Sequence, residues 1–356
     1  MSNISTDILI IGAGPAGLSC AKVLAERGRQ VLLLERQEEI GPKVCAGGVT
    51  WNGLLQLVPE EFVEKRFQDQ YIYTVCQRAV VRERKPVIAT VSRRTLGQVM
   101  MHQALQAGAE ILTGTKVTAI DGLHVTAVQK GSTKKIRCSQ LVGADGANSL
   151  VRRSLGIPMV DRGPGINFQI PGDYDRMEWH LHTKTFGCGY AWIFPHKNTV
   201  SIGAYTPQGE VSVGRLKRNL LRWARNLGFQ LDELYCQAAL INYDYRGHSF
   251  GPVWLIGDAA GLASGLTGEG IYPAVVSGQA VARQIVDPCS DSKDLSVLLR
   301  RHRQHLRLVR LSQGGAACSF ILMEVLALLL RSRILTFKAF EMASVPHGLN
   351  TKEKGR

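Results

Sequence analysis

The stretch that most constrains this chain is Asp7-Ile-Leu-Ile-Ile-Gly-Ala-Gly-Pro-Ala-Gly17. The apolar, partly β-branched run Ile8–Ile11 predicts a strand buried on both faces. It runs into Gly12-x-Gly14-x-x-Gly17, and a helical pattern follows from Leu18 to Arg27. The three glycines do different things. Gly12 permits the tight turn, Gly14 lets a pyrophosphate approach the backbone, and Gly17 lets helix and strand pack closely. At the helix start Gly14, Ala16 and Gly17 offer unpaired N–H groups and partial positive charge to a phosphate, and Pro15, which has no N–H to leave unpaired, opens the first turn. A second strand, Val31–Leu34, ends in Glu35 and Arg36. Glu35 is placed to accept from ribose hydroxyls and would repel a 2′-phosphate. Strand, turn, helix, strand and acid in this order predict a dinucleotide-binding unit.

With 356 residues, the chain is long for one domain and suits two. Its balance of 45% hydrophobic and 20% charged residues is that of a globular protein. The net charge of +14 admits nucleic acid, a membrane surface or anionic substrates as partners. No zinc-finger spacing, RNA-binding motif or long Lys/Arg block is present, so nucleic acid is not expected. The eight cysteines are scattered without CxxC spacing, so neither a zinc site nor a redox pair is indicated. The first strand starts within about seven residues, which leaves no room for a targeting segment of the usual 15–30 residues. A cytoplasmic chain with reduced thiols is the expectation. The longest apolar run, Phe320–Leu330, contains Glu324 and falls short of the roughly 20 residues that span a bilayer.

Further along, 41–49 reads as a Gly/Pro loop and 51–70 as short helices. Residues 71–77, 79–84 and 87–91 read as strands, and Arg93–Gly108 as a helix. Strands at 110–113 and 116–120 precede a hairpin through 122–138, and Leu141–Ala144 leads into Asp145-Gly146. From 159 to 245 aromatics, glycines and alternation predict an antiparallel sheet (167–170, 178–182, 190–194, 200–204) with one helix, 213–226. The pattern returns to α/β at Val253–Ile256, with a helix from about Gly270 to Val286. The expected division is a discontinuous nucleotide domain (1–70, 92–158, 246–293), an inserted substrate domain (71–91, 159–245), a helical extension (294–345) and a tail (346–356).

Three segments in this order resemble the flavoproteins that share the p-hydroxybenzoate hydroxylase fold: the fingerprint with Glu35, Leu141-Val-Gly-Ala-Asp145-Gly146-Ala-Asn-Ser149-x-x-Arg152, and Leu255-Ile-Gly257-Asp258-Ala-Ala-Gly261. The resemblance implies FAD, with Asp145 and Gly146 near the pyrophosphate and Asp258 near the ribityl or ribose. Arg93 is similar to an arginine of that class, whereas the class's next Asp is Gly97 here. Within the class the chain resembles the geranylgeranyl reductase family. Lys43-Val-Cys45-Ala46-Gly47-Gly48 is similar to its Lys-x-Cys-Gly-Gly-Gly loop, with Ala46 for the first glycine. Tyr190-Ala-Trp192-Ile-Phe194-Pro195 is similar to its Tyr-x-Trp-x-Phe-Pro motif, and Leu266-Thr-Gly268-Glu269-Gly270-Ile271 also follows the family. The implied fold is α/β: a doubly wound, Rossmann-like FAD domain, an inserted antiparallel substrate domain and a helical C-terminal extension. The implied activity is reduction of isoprenoid carbon–carbon double bonds on a lipid, quinone or pyrophosphate. An aromatic hydroxylase or halogenase on the same fold, or a non-catalytic quinone- or lipid-binding flavoprotein, is the alternative.

The chemistry assigns candidate roles. Gly268–Ile271 open a helix whose N–H groups and dipole suit the negative charge of a reduced flavin. An unpolarised prenyl double bond needs a hydride on one carbon and a proton on the other, and Cys45 is the candidate proton donor, its alternative being a structural thiol. Tyr190, Trp192 and Phe194 share a strand face, as an oily wall or as core, and Tyr190 and Trp192 join Cys45 as candidate catalytic residues. Gly48, Phe194 and Pro195 complete the candidate substrate channel. His180 and His182 lack a third ligand at suitable spacing, so no metal is expected. No second GxGxxG appears, so NAD(P)H would visit transiently or a ferredoxin would serve as electron donor. The basic tail (Arg300, Arg301, Arg303, Arg307, Arg310, Arg331, Arg333, Lys338) beside the 320–330 stretch suits peripheral contact with an anionic membrane, or else a solvated face on a packed helix.

Overall fold

The computed structural model describes residues 2–207 and 211–342. The expected tail, 346–356, and the last three residues of the 294–345 extension lie outside the described residues. The first sheet is 8-stranded. Its parallel core aligns Ser132–Gly143, Ser2–Ile11, Val31–Leu34 and Glu110–Leu112, and Val253–Leu255 adds in parallel to the outer side of Ser132–Gly143. The first strand begins at Ser2 rather than Ile8, because Ser2–Thr6 pair with Lys134–Cys138. Its alternate residues feed two cores. Ile8 and Ile10 pack with helices Pro15–Glu26, Arg93–Gln106 and Ile271–Val286, while Leu9 and Ile11 pack with the Val125/Ile136 hairpin and Ala259–Ala260. That two-sided burial explains the unbroken apolar run.

The second sheet is 7-stranded, ordered Gln237–Asn242, Arg162–Pro171, Thr199–Tyr205, Tyr190–Pro195, Met177–His180, Asp69–Tyr73 and Arg78–Arg82. It is antiparallel except where Met177–His180 runs parallel to Asp69–Tyr73. The helix at Val213–Asn226 packs on one face, as the pattern predicts.

Two short strands differ from expectation: Gly48–Thr50, where a loop was expected, and Lys65–Phe67. Lys65–Phe67 is a strand rather than part of a short helix, and it pairs with Ile88–Thr90, which also pairs with Gly48–Thr50. This 3-stranded sheet joins Gly48–Thr50, just after the cysteine loop, to Ile88–Thr90 and Lys65–Phe67. The charged residues at 64–66 hid the strand, since only Phe67 of its three residues is buried.

Helices Lys293–Ser312 and Ala316–Arg331 and a turn at Phe337–Phe340 follow. Among the described residues no helix is long and apolar enough to cross a membrane.

Candidate functional site

A cleft lies between the two sheets. It is bordered by Gly14–Ala16, by Lys43–Ala46, by Gly268–Ile271 and by the aromatic face of Tyr190–Pro195.

The glycine turn is built as its spacing predicts. A Cβ on Gly12, which has φ +105, would sit 2.4 Å from the carbonyl oxygen of Ala144, and one on Gly17 would sit 2.0 Å from that of Gly12. These two glycines hold the turn against the sheet. At Gly14 a Cβ would meet nothing within 4 Å, so its face is open to the cleft. Glu35 braces the turn: its Oε2 accepts from the Ala13 N–H at 2.8 Å and its Oε1 from the Gln37 N–H at 2.9 Å. Arg36 is exposed at the strand end and does not border the cleft.

Asp145 works on the protein itself. Its Oδ2 accepts from the Leu150 N–H at 2.6 Å, while Oδ1 is buried without a partner, and burial pushes the carboxyl's pKa up. Gly146 next to it, at φ +78, borders the cleft with open space where a Cβ would be. Arg152 is buried and structural. It donates to the carbonyls of Pro158 and Asp244, each at 2.8 Å, and to that of Ala259 at 3.3 Å, tying three segments together.

Gly257 receives support from Ser277, whose Oγ accepts its N–H at 2.9 Å. Asp258 pairs with Lys43 at 3.1 Å, which links this motif to the cysteine loop. Gly97 stands where its class carries Asp, and a Cβ there would lie 2.3 Å from Gly41 Cα, so this helix crosses the loop too closely for any side chain.

The cysteine loop is clamped onto the second sheet. Asn167 Nδ2 donates to the Cys45 carbonyl at 3.3 Å, and Asn167 Oδ1 accepts from Ser201 Oγ at 2.7 Å. Ser201 Oγ in turn accepts from Trp192 Nε1 at 3.0 Å. His196 Nε2 donates to the Ala46 carbonyl at 2.9 Å, and its Nδ1 meets Glu64. Gly47, at φ +80, lies under that imidazole, where a Cβ would come within 2.3 Å of Cε1. Gly48 passes so close to Phe194 that a Cβ would lie 3.0 Å from its ring. Cys45 borders the cleft, and its Sγ accepts from the Gly47 N–H at 3.3 Å. The Asn167, Ser201, His196 and Glu64 supports do not follow from the sequence pattern. His196 directly follows Pro195, and that adjacency was the signal available.

Tyr190, Trp192 and Phe194 do share one face, with Ala191 and Ile193 buried on the other. The Tyr190 hydroxyl donates to the Thr267 carbonyl, and burial raises its pKa well above the usual tyrosine range. Trp192 has committed its one N–H to Ser201, so it serves as a wall. Pro195 does not border the cleft; its carbonyl accepts from Thr90 Oγ1 at 2.9 Å. Trp179, Leu326, Leu330 and Phe337 extend the apolar wall.

His180 Nε2 meets Glu178 Oε2 at 2.9 Å and its ring stacks on Tyr73, while His182 lies beyond the strand end. Among the described residues no group of three His, Cys, Asp or Glu is placed to hold a metal ion.

An FAD-binding-domain family model matches residues 5–170. An uncharacterized protein of Methanosarcina barkeri is 30% identical over 312 residues, covering 84% of this chain and 80% of that protein. A digeranylgeranylglycerophospholipid reductase of Methanopyrus kandleri is 27% identical over 327 residues, 83% of this chain and 84% of the reductase. The chain belongs to the geranylgeranyl reductase family of flavoproteins. A solved geranylgeranyl bacteriochlorophyll reductase-like protein from Thermoplasma acidophilum superposes with TM-score 0.81 over 95% of both chains at 21% identity, so the fold is shared as well.

For a geranylgeranyl reductase family member FAD is the expected cofactor, and the residues present fit it. Arg93 Nε and Nη1 are buried at the cleft with no hydrogen-bond partner. Orphaned guanidinium donors are rare because leaving them unpaired is costly, so they point to an anionic group that completes the site. Gly14 and Gly146 leave room on the same side, and the helix starting at Pro15 presents its free N–H groups there.

Proposed function

We propose that this protein is an FAD-dependent oxidoreductase that saturates carbon–carbon double bonds of an isoprenoid chain carried by a lipid, quinone or pyrophosphate. The observation that supports the reading most is that one cleft runs from Gly14–Ala16 and Gly268–Ile271 to a wall of Trp179, Trp192, Phe194, Leu326, Leu330 and Phe337. A polar cradle for a dinucleotide thus opens directly onto a long apolar slot, which suits a substrate with no polar group at the reacting carbons. The relatives named as digeranylgeranylglycerophospholipid reductases support the isoprenoid class.

Reduced FAD would supply the hydride. Gly14, Pro15, Ala16 and Gly146 would receive its pyrophosphate, with Arg93 as the neutralising cation, and Glu35 its ribose. Gly268–Ile271, at the N-terminus of the 271–286 helix, would stabilise negative charge on the ring. Tyr190, Trp192 and Phe194 would press the chain into place, and the packed wall would keep water away. Cys45 borders the reacting region as a candidate proton donor. NAD(P)H or a ferredoxin would deliver the electrons. The division into a discontinuous FAD domain, an inserted substrate domain and a helical extension belongs to the same proposal.

We further propose peripheral contact with an anionic membrane through the last helices. The 316–331 helix lines the cleft with Met323, Leu326 and Leu330, yet it leaves Ile321 59%, Val325 44% and Leu328 52% exposed on its outer side. Arg331, Arg333 and Lys338 beside this ridge are exposed, as are Arg300, Arg303, Arg307 and Arg310. Arg301 is instead turned inward, donating to the Glu341 carbonyl at 2.6 Å.

Anaerobic incubation of the FAD-loaded, dithionite-reduced protein with geranylgeranyl pyrophosphate tests the activity. A reductase gives products heavier by two hydrogens per bond. A monooxygenase gives none without oxygen and consumes oxygen when it is present.

A further inference from the structure

Burial and hydrogen bonding sort the acids around the cleft. The Tyr190 hydroxyl is committed to Thr267, the Trp192 N–H to Ser201, and both nitrogens of His196 to Ala46 and Glu64. Asp258 holds Lys43. Cys45 accepts from Gly47. Glu269 stands apart. It borders the cleft between Gly268 and Gly270, at the turn where the ring of the cofactor is proposed to lie. Its Oε2 accepts from the Met342 N–H at 3.2 Å, while Oε1 is sealed from solvent and has no partner. A carboxylate oxygen is poorly tolerated in that state, whereas a carboxylic acid with its O–H turned toward the cleft is not.

We propose that Glu269 is the acid that delivers the proton to the alkene carbon. The inference rests on the reductase reading above and gives the proton step to Glu269 instead of Cys45. The balance is complete. The alkene π pair would form the new C–H bond with the Glu269 proton as the O–H bond breaks, and the adjacent carbon would take the hydride that reduced FAD would supply. Glu269 is left as a carboxylate and regains a proton from water that enters the cleft it borders once product has left.

The surroundings agree. Burial raises the Glu269 pKa to about 7, with nearby Glu341 adding to the rise and Arg301 opposing it. Tyr190 is the other titratable group that senses it, and Cys45 in turn acts on Tyr190. A buried carboxyl poised near neutrality is how proteins keep a general acid loaded at working pH.

The test uses the FAD-loaded protein and its Glu269→Gln and Glu269→Asp variants, with geranylgeranyl pyrophosphate as probe in anaerobic single turnover. Flavin absorbance reports cofactor retention, and the wild-type-minus-Gln infrared difference spectrum reports a protonated carboxyl across a pH titration. Expected are a wild-type rate that falls as pH rises through about 7, a carboxyl band that disappears over the same range, and a Gln variant that keeps its flavin. That variant should lose 10²-fold or more in rate along with the pH dependence, and the Asp variant should recover part of both. A Gln variant with wild-type rate and pH profile overturns the proposal. So does one whose only defect is lost flavin, or a difference spectrum without the band. A wild-type protein that leaves the probe unreduced sinks the reductase reading itself.

Discussion

The side-chain amide of Asn167 holds the backbone carbonyl of Cys45 at 3.3 Å, and through Ser201 the same residue is joined to the indole of Trp192. One buried asparagine thus couples the cysteine loop to the aromatic wall. Asn167→Leu leaves the Ser201 hydroxyl without its acceptor and the Cys45 carbonyl without its donor, and it should destabilise the fold by about 1–3 kcal/mol. Denaturant unfolding measures that loss. If the coupling positions the loop, flavin content falls in the same variant, and Asn167→Asp restores only the acceptor side.

Gly47→Ala should be more damaging than its size suggests. The residue adopts φ +80, and the new Cβ would come within 2.3 Å of the His196 ring. Positive φ alone costs a non-glycine residue about 1–2 kcal/mol, and the clash pushes His196 off Glu64 and Ala46. The expected result is a protein that folds but binds FAD at least tenfold more weakly, read by titrating flavin fluorescence.

Arg93→Met retains the bulk of the stem while removing the orphaned donors. Because those donors lack a protein partner, the apo protein should be as stable as wild type or more so. Flavin affinity should drop by 10-fold or more, as expected for a lost charge-assisted contact. A destabilised apo protein with unchanged affinity would show that Arg93 serves the fold instead.

The pH dependence of stability carries two opposing contributions. Burial lowers the His305 pKa to about 4, so between that value and its usual 6.5 the unfolded chain binds the extra proton, and stability rises with pH. Glu269, raised to about 7 from 4.5, binds its proton in the folded state across that window, so stability falls with pH. Each amounts to at most about 3 kcal/mol, and they offset between about pH 4.5 and 6.5. Glu269→Gln should therefore expose a stability that climbs with pH there, and His305→Gln one that declines. Thermal unfolding across that range decides it.

If the outer ridge of the 316–331 helix meets lipid, replacing Ile321, Val325 and Leu328 with serine should leave unfolding unchanged, because all three are exposed. Cosedimentation with anionic phospholipid vesicles should fall several-fold, and added salt should weaken the wild type's binding. Equal sedimentation of variant and wild type would remove the ridge from any membrane role.

The sequence was most informative where local geometry leaves little choice. The glycine turn, the two buried strands and the 213–226 helix follow from spacing and periodicity that few other structures satisfy. The Tyr190–Phe194 stripe was legible as a face, but whether it was core or wall depended on what lay opposite. The 316–331 helix answers that, lining the same cleft from more than a hundred residues away. Asn167, His196 and Glu64 escaped because their roles arise only when the cysteine loop folds onto the second sheet. Pro195 was placed in the channel by its position in a motif, while the structure sets it away from the cleft. The weak strand Lys65–Phe67 was hidden by charge, its pairing being supplied by partners distant in sequence.

Everything proposed for this protein requires FAD and an apolar chain to meet in the cleft between Gly268 and the aromatic wall. The decisive measurement is mass spectrometry of geranylgeranyl pyrophosphate after anaerobic incubation with the reduced, FAD-loaded protein. Products in steps of two added hydrogens are expected; an unchanged chain, or an oxygenated product formed only in air, would refute the reading.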